Sequence, residues 1–182
     1  MNATQIRVGN ILKIENVIYR VMKVSHITPG KGNAQVQADL RNLKSGLKAN
    51  MRFRPAESVE KVDTDEREMT FLYQEGSTYH FMDPESFEQH ELSADMLEDM
   101  LPYLKPEAKI FMLSSGGEAI SIRLPQKMSF TVTECDPPSK GSAGALKNAT
   151  IDTNAVFKVP MFIKVGDAVV IDTESGDYVE KG

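Results

Sequence analysis

Apolar and polar residues alternate along several short stretches of the chain, with the two-residue period of a half-buried β-strand. The clearest stretch is Ala34–Arg41, in which every second residue is apolar, and the β-branched run Val17–Val24 precedes it. Further strands are predicted, in chain order, at Lys48–Phe53, Glu68–Gln74, Tyr79–Met82, Ile110–Leu113, Ala119–Leu124, Ser129–Glu134, Ala155–Phe162, Ala168–Thr173 and Asp177–Val179. The pattern therefore predicts an all-β protein built from many short strands.

One segment has the period of a helix instead. A helix is predicted over Ala94–Leu104, with Ser93 as its N-cap. Its apolar residues fall on one face: Met96, Leu97, Met100, Leu101 and Leu104. Such a stripe predicts packing against a core, and Pro102 and Pro106 predict that the helix ends close by.

Two changes in composition divide the chain into three parts. The sequence turns acidic over Val62–Glu66, and a second break falls at Pro125–Lys127. We therefore predict domains at 1–63, 64–127 and 128–182. Several short strands in each part are typical of small β-barrels, and those of the first part favour an SH3-like barrel.

Charge is distributed unevenly along the chain. Residues 1–62 carry 11 Lys/Arg and 4 Asp/Glu, a net charge of +7, whereas residues 63–182 have a net charge of −12. A basic first third on an acidic body predicts that one end faces a polyanion such as nucleic acid. The alternative is ordinary surface charge that happens to segregate.

Composition indicates a folded protein of the cytoplasm. Hydrophobic residues make up 41% and charged residues 26% of the chain, which excludes a disordered chain. No apolar run approaches the roughly 20 residues that span a bilayer, and the N-terminus lacks the features of a secretory signal. The single cysteine, Cys135, cannot form an internal disulfide. We expect a cytoplasmic monomer.

Motifs for catalysis and metal binding are missing from the sequence. There is no GxSxG motif and no P-loop, and the histidines lack metal-ligand spacing with Cys135. The acidic pairs Asp63/Asp65 and Glu98/Asp99 are expected to be solvated surface charges. We predict no enzymatic activity, no cofactor and no metal.

The segment Pro29-Gly30-Lys31-Gly32 lies between the first two long strands, where it predicts a hairpin with Lys31 near its tip. Glycines on both sides free the backbone, and the proline stiffens the approach. At about 3.3 Å per residue, a seven-residue arm would place the amine about 20 Å beyond the barrel. The alternative is a generic Pro-Gly turn with a solvated lysine.

Three spaced segments resemble the elongation factor P family. The first domain of that family is matched by His26–Ala34 and Leu40–Gly46, the second by Phe71–Tyr73 and Tyr79–Asp83, and the third by Val159–Asp167 and Ile171–Val179. The resemblance covers the whole chain in the right order, without a large insertion. It is therefore far more specific than the hairpin motif alone.

The resemblance implies an SH3-like (KOW-like) N-terminal barrel followed by two OB-folds, in an elongated, tRNA-like shape. It implies a translation elongation factor that binds the ribosome between the P and E sites, positions P-site peptidyl-tRNA, stimulates peptide-bond formation and relieves stalling at consecutive prolines. Lys31 matches the family's tip lysine, which reaches toward the peptidyl-transferase centre and is often extended by a lysine-modifying enzyme. Whether Lys31 is modified stays open at this point.

Contacts to RNA are expected mainly from the basic first domain. The candidates are Arg20, Arg41, Lys44, Lys48, Arg52, Arg54 and, in the third domain, Tyr178. The alternative function is a general single-stranded nucleic-acid-binding OB-fold protein, which needs aromatic platforms beside basic grooves. The chain has no Trp, and residues 63–127 and 128–182 carry net charges of −9 and −3, which disfavour that alternative.

One segment departs from the family pattern. Lys140–Ala149 corresponds to the third-domain loop that approaches mRNA in the family, but it is shorter and lacks the acidic residue found there. Whether this loop contacts mRNA in the present protein stays open.

Overall fold

The computed structural model describes residues 1–141 and 144–182, which form three five-stranded sheets with antiparallel neighbours throughout. The first sheet consists of β1 (Ile11–Ile14), β2 (Val17–Ile27), β3 (Gln35–Asn42), β4 (Lys48–Phe53) and β5 (Glu60–Lys61). Its spatial order is β4-β3-β2-β1-β5. The long hairpin β2–β3 therefore lies between β1 on one edge and β4 on the other.

The second and third sheets follow in sequence. The second contains β6 (Asp65–Glu75), β7 (Thr78–Met82), β8 (Gln89–Ser93), β9 (Lys109–Ser115) and β10 (Glu118–Arg123), in the order β10-β9-β6-β7-β8. The third contains β11 (Lys127–Cys135), β12 (Leu146–Ile151), β13 (Val156–Pro160), β14 (Ala168–Asp172) and β15 (Tyr178–Lys181), in the order β13-β12-β11-β14-β15. The predicted all-β class is confirmed, and two of the sheets curl into half-barrels.

Alternation of side chains explains why these segments form strands. On β3, Val36, Ala38 and Leu40 are buried while Gln35 and Asp39 face solvent. Successive side chains of a strand point to opposite faces, so each strand contributes one apolar face to a core. Across the described ranges 1–141 and 144–182, no helix has the length and apolar character needed to cross a membrane.

The predicted helix over Ala94–Leu104 is wrong in length. The α-helix α1 covers only Ala94–Leu97, and a turn of 3-10 helix follows at Leu101–Tyr103. Pro102 has no N–H to donate and its ring clashes with the preceding turn, so the helix cannot continue through it. The apolar stripe nonetheless packs into the core as predicted, and the hydroxyl of the expected N-cap, Ser93, makes no capping hydrogen bond.

The buried residues form three clusters. One belongs to the first sheet and includes Ile6, Leu12 and Leu40. The largest runs without a break from the second sheet, around Phe81, into the third sheet, around Phe130. The third cluster is small and lies between the first and second sheets. The second and third sheets therefore share one core.

Two aspartates hold tight turns in the second and third sheets. The backbone N–H of Glu85 donates to Asp83 Oδ1 at 2.8 Å, and that of Ser175 donates to Asp172 Oδ1 at 3.0 Å. These hydrogen bonds favour the carboxylate, so they hold the pKa of each aspartate below its usual value.

The aspartate turns predict a loss of stability in acid. Because the pKa of each aspartate is lower in the folded than in the unfolded chain, its contribution is complete above about pH 4 and is lost as the pH falls through the folded pKa. Urea unfolding at a series of pH values should show this decline. The variant Asp83→Asn/Asp172→Asn should show a shallower decline below pH ~4, and a decline as steep as that of the parent would contradict the assignment.

Candidate functional site

The hairpin β2–β3 ends in an exposed loop that carries Lys31. The two strands pair from Tyr19↔Asn42 to Ile27↔Gln35, and residues 28–34 form the loop. On the outer edge, β4 accompanies β3 as far as Phe53↔Val36. Only the last pair and the loop therefore extend beyond β4, so the arm is supported along one edge instead of projecting freely as the sequence suggested.

The two glycines that flank Lys31 play different roles. Gly32 has φ +130°, a conformation that residues with a Cβ rarely adopt, and a Cβ there would lie 3.4 Å from Pro29 Cγ. Gly30 does not have a left-handed φ, and a Cβ at its position would meet nothing within 4 Å. The prediction that both glycines provide unusual backbone angles is thus correct only for Gly32.

The Lys31 side chain is exposed, as are its neighbours from Ile27 to Gln35. None of the ion pairs formed within residues 1–141 and 144–182 involves Lys31. The three N–H donors of its ammonium group are available to an external acceptor such as a phosphate oxygen.

A face of β4 presents cations, with Arg52 toward the loop end of the strand and Lys48 opposite Arg41 at the base of the hairpin. Lys48 and Arg52 occupy positions i and i+4 of the strand and are exposed, whereas the alternate residues Ala49, Met51 and Phe53 point inward. Arg54, directly after the strand, is also exposed, as is Lys44 in the preceding turn. We call Lys48, Arg52 and Arg54 the basic edge. Its side chains are exposed, so RNA phosphates could reach them. These residues therefore stay predicted RNA contacts.

Arg41 is not available as an RNA contact, and this prediction is wrong. Its side chain is 1% exposed, and Nη1 donates to Glu98 Oε2 at 2.7 Å and to Gly46 O at 2.8 Å. Nη2 donates to Asp99 Oδ2 at 3.0 Å. Glu98 and Asp99 are therefore partners of a buried arginine, which corrects the expectation that they are merely solvated charges.

Arg20 and Tyr178 are less accessible than the basic edge. Arg20 is half-buried, with Nη1 3.3 Å from Met100 Sδ, and burial lowers its pKa while the nearby Asp99 raises it. Tyr178 is half-buried and packs against the core of the third sheet. As RNA contacts, both stay predictions.

His80, a residue type that often serves in catalysis or metal binding, is part of the packed interior here. It is buried on β7, Nδ1 lies 3.4 Å from Glu91 Oε1, and its ring stacks on Tyr73 with centroids 4.5 Å apart. No group of three or more His, Cys, Asp or Glu side chains in the described ranges is placed to hold a metal. The single cysteine, Cys135, is a free, half-buried thiol.

The loop expected at Lys140–Ala149 is shorter in the structure. Its last four residues, from Leu146 to Ala149, belong to β12 and pair with β13. Ser142 and Ala143 lie outside the described residues. The prediction of a possible mRNA contact by this segment stays open.

Comparison with known proteins gives consistent matches along the chain. A family model described as the elongation factor P KOW-like domain matches residues 2–59, one described as the elongation factor P OB domain matches residues 64–122, and one described as elongation factor P, C-terminal, matches residues 128–181. A curated relative, elongation factor P of Moorella thermoacetica, is 40% identical over 183 residues, which cover 100% of this chain and 99% of the relative. The chain belongs to the elongation factor P family.

Solved structures also show similarity. A eukaryotic-type translation initiation factor 5A from Methanococcus jannaschii is 22% identical, with a TM-score of 0.43, over 68% of this chain and 93% of that one. An initiation factor 5A family protein from Naegleria fowleri is 14% identical, with a TM-score of 0.38, over 68% of this chain and 96% of that one. Both likenesses are too weak to bear on function.

Membership of the elongation factor P family settles the class of this protein, which is a translation elongation factor. It also gives the exposed lysine loop and the basic edge a common context, because a translation factor works on an RNA-rich partner. The predicted KOW-like barrel and the OB-fold predicted for 64–127 agree with the family models that match residues 2–59 and 64–122.

Proposed function

We propose that this elongation factor P family member binds the ribosome between the P and E sites and uses Lys31 to position peptidyl-tRNA in the P site. The positioned tRNA then forms peptide bonds faster, and stalling at consecutive prolines is relieved. The observation that carries the proposal is the exposed Lys31 ammonium in the loop of a hairpin that β4 supports. The protein acts in the cytoplasm, where translation takes place.

The physical mechanism is positioning rather than catalysis by this chain. Proline is a rigid and poor substrate for peptide transfer. A cation at the loop can make charge-assisted hydrogen bonds to the phosphate backbone at the CCA end of the tRNA. Holding the reacting groups in a productive orientation can supply several kcal/mol of barrier reduction, and the ribosome carries out the bond formation.

We also propose that a lysine-modifying enzyme acts on Lys31. The loop is exposed from Ile27 to Gln35, so an enzyme could reach the amine in the folded protein. A modification would extend the side chain beyond the reach of lysine itself. Intact-mass measurement of the protein from its native host, together with peptide mapping of residues 28–41, would detect an added group.

The proposed function can be tested with the purified protein in a reconstituted translation system. Synthesis of a peptide that contains three consecutive prolines should be slow without the protein and faster with it. A template without proline pairs is the control and should respond little. If the protein in its native modification state leaves proline synthesis unchanged, the proposed function is wrong.

Ribosome binding should depend on the basic edge. Replacing Arg52 and Arg54 with Gln removes two exposed cations, so binding to ribosomes should weaken and the slope of log affinity against log salt should become shallower, by about one unit per lost phosphate contact. Co-sedimentation across a salt titration measures both quantities. The matched control replaces Lys158 and Lys164, which are exposed on the acidic third part.

Equal affinity and equal salt slope for parent and the Arg52/Arg54 variant would place the RNA-facing surface elsewhere. Binding of naked single-stranded RNA as tight as that of ribosomes would instead favour the general nucleic-acid-binding alternative.

We further propose domains at 1–63, 64–127 and 128–182. The gap between β5 and β6 and the short segment between β10 and β11 support these boundaries. Because the second and third sheets share one core, the fragment 64–182 should fold and unfold in a single cooperative transition. Thermal unfolding followed by circular dichroism tests this. Two separate transitions would show that the shared core does not couple the two sheets.

A further inference from the structure

The first and second sheets are joined by a set of contacts centred on Arg41. This buried guanidinium, which comes from β3, binds Glu98 and Asp99, which follow α1 of the second part of the chain. Nη1 also donates to the carbonyl of Gly46 at 2.8 Å, in the turn between β3 and β4. One side chain thus joins the turn of its own sheet to two carboxylates of the neighbouring one, with charge-assisted hydrogen bonds on each side.

Close backbone packing at Gly46 provides a second, independent contact. Gly46 has φ +73°, and a Cβ built there would lie 2.8 Å from Asp95 Cβ and 2.9 Å from Asp95 O. Real Cβ atoms do not approach other atoms so closely, so only glycine lets the turn lie directly against α1. The turn and the helix therefore pack in direct contact, which a side chain at position 46 would prevent.

An apolar seam completes the junction. Ile11 and Leu43 from the first sheet's region are buried against Leu113 and Ile120 of the second sheet. The N–H of Leu43 donates to Ile18 O at 3.0 Å, which ties the seam to β2. The junction therefore has a buried apolar centre, and the Arg41 ion pairs and the Gly46 contact also join the two sheets. We call the Arg41, Glu98, Asp99 and Gly46 contacts the latch.

The latch lies at the base of the hairpin that carries Lys31. Arg41 on β3 pairs with Arg20 on β2, and the hairpin continues from this pair to Ile27↔Gln35. Seven strand positions separate Arg20 from Ile27, a length of about 23 Å at about 3.3 Å per residue. A rotation of roughly 5° at the latch would therefore move the end of the hairpin by about 2 Å.

We infer that Arg41 is a positioning residue for Lys31, because its contacts with Glu98, Asp99 and Gly46 fix the direction of the hairpin relative to the second sheet. This inference rests on the proposed function of Lys31. The Arg41 side chain is 1% exposed and its hydrogen bonds go to Glu98, Asp99 and Gly46, so it acts through the orientation of the strands that hold the loop. If the hairpin pointed in another direction, the Lys31 ammonium would no longer lie where it can contact the tRNA.

Geometry is tested first, without any translation assay. In the full chain with Cys135→Ser, cysteines placed at the exposed strand positions Gln35, in the last pair of the hairpin, and Gln89 carry spin labels for distance measurement. The parent should give one narrow distribution. Both Arg41→Met and the pair Glu98→Ala/Asp99→Ala should broaden it or shift its mean by about 2 Å or more, as the length of the hairpin implies. One variant removes the cation of the latch and the other removes its two carboxylates. If one of them fails to fold, the other still tests the inference.

The matched control for geometry is Glu66→Ala. It removes an ion pair with Arg123 that lies within the second sheet, between β6 and β10. Its distance distribution should match that of the parent. Unchanged distributions in both latch variants would overturn the claim that the latch fixes the hairpin.

Activity is tested second, as the rate of consecutive-proline synthesis over a range of factor concentrations. Misplacement by about 1 Å or more can cost a large factor in rate, so the maximal rate at saturating Arg41→Met should fall about tenfold, with less change in the half-saturating concentration. A change in half-saturation alone would indicate a binding role and overturn the inference, as would an unaltered maximal rate. If the parent itself gives no rescue, the proposed function fails, and the positioning role fails with it, while the distance measurement still decides the latch.

Discussion

Replacing Lys31 with Ala is expected to abolish the rescue of consecutive-proline synthesis while leaving the fold intact. The side chain is exposed in the loop 28–34, so its removal should change the free energy of unfolding by no more than about 0.5 kcal/mol. The loss of function follows from the proposed mechanism, in which the ammonium contacts the tRNA. Ribosome binding should fall less than activity, since the basic edge is proposed to supply other phosphate contacts. Rates of proline-containing peptide synthesis and co-sedimentation with ribosomes measure the two effects.

Two further variants sharpen the Lys31 experiment. Lys31→Arg keeps a charge but changes its shape and blocks lysine-directed modification, so it should be weak or inactive. Lys61→Ala, at an exposed position of β5, is the matched control and should rescue as the parent does. Rescue by Lys31→Ala at the parent rate and the same concentration would show that the loop amine is not the working group.

Replacing Phe81 with Ala should cause the largest loss of stability. The side chain is fully buried on β7, between β6 and β8, and its ring centroid lies 5.5 Å from that of Phe71. Deleting a buried phenyl ring removes apolar burial and leaves a cavity, at a cost of about 3–5 kcal/mol. Chemical denaturation of parent and variant measures the difference in free energy of unfolding.

The control for this substitution is Phe87→Ala. Phe87 follows the same strand in a turn, and its side chain is 70% exposed. Its replacement should change stability by no more than about 0.5 kcal/mol. Similar losses for Phe81→Ala and Phe87→Ala would contradict the placement of the core.

Strands in which apolar and polar residues alternate clearly could be predicted from the sequence, because one face of such a strand packs on the core and the other faces solvent. Four strands were missed: β1, β5, β8 and β12. Two of them, β12 and β8, lack a clear alternation of apolar and polar residues. On β12 the inward positions are Lys147, Ala149 and Ile151, while Leu146 faces solvent. A lysine that is 5% exposed at an inward position inverts the local pattern. On β8 only Leu92 is buried, so the segment is a strand because it pairs with β7 and not because of its residue pattern.

In the candidate site, too, some features could be predicted from the sequence and others could not. Lys31 could be located from its turn residues, because a tight connection between two strands is a local property of the sequence. The burial of Arg41 could not, since the residues that cover it lie 57 and 58 positions further along the chain. The alternation of apolar and polar residues along β3 does not indicate that distant residues bury the Arg41 side chain. The signal that could have raised the possibility is the adjacent acidic pair Glu98/Asp99 opposite a basic first part.

The helix shows a third kind of limit. The apolar spacing correctly identified Leu97, Met100 and Leu104 as core residues, but core burial does not require a continuous helix. Pro102 was visible in the sequence and interrupts the segment. Local spacing therefore predicted which side chains are buried better than it predicted the backbone that buries them.

The central claim, that the Lys31 loop meets the end of P-site tRNA, is tested most directly by site-specific crosslinking. A photoreactive residue at position 31 in ribosomes that hold peptidyl-tRNA in the P site should crosslink to the 3′ end of that tRNA. The same residue at position 61, on β5, should give no such product. Crosslinks from position 31 that avoid the tRNA 3′ end, or that form equally well when the P site is empty, would contradict the account.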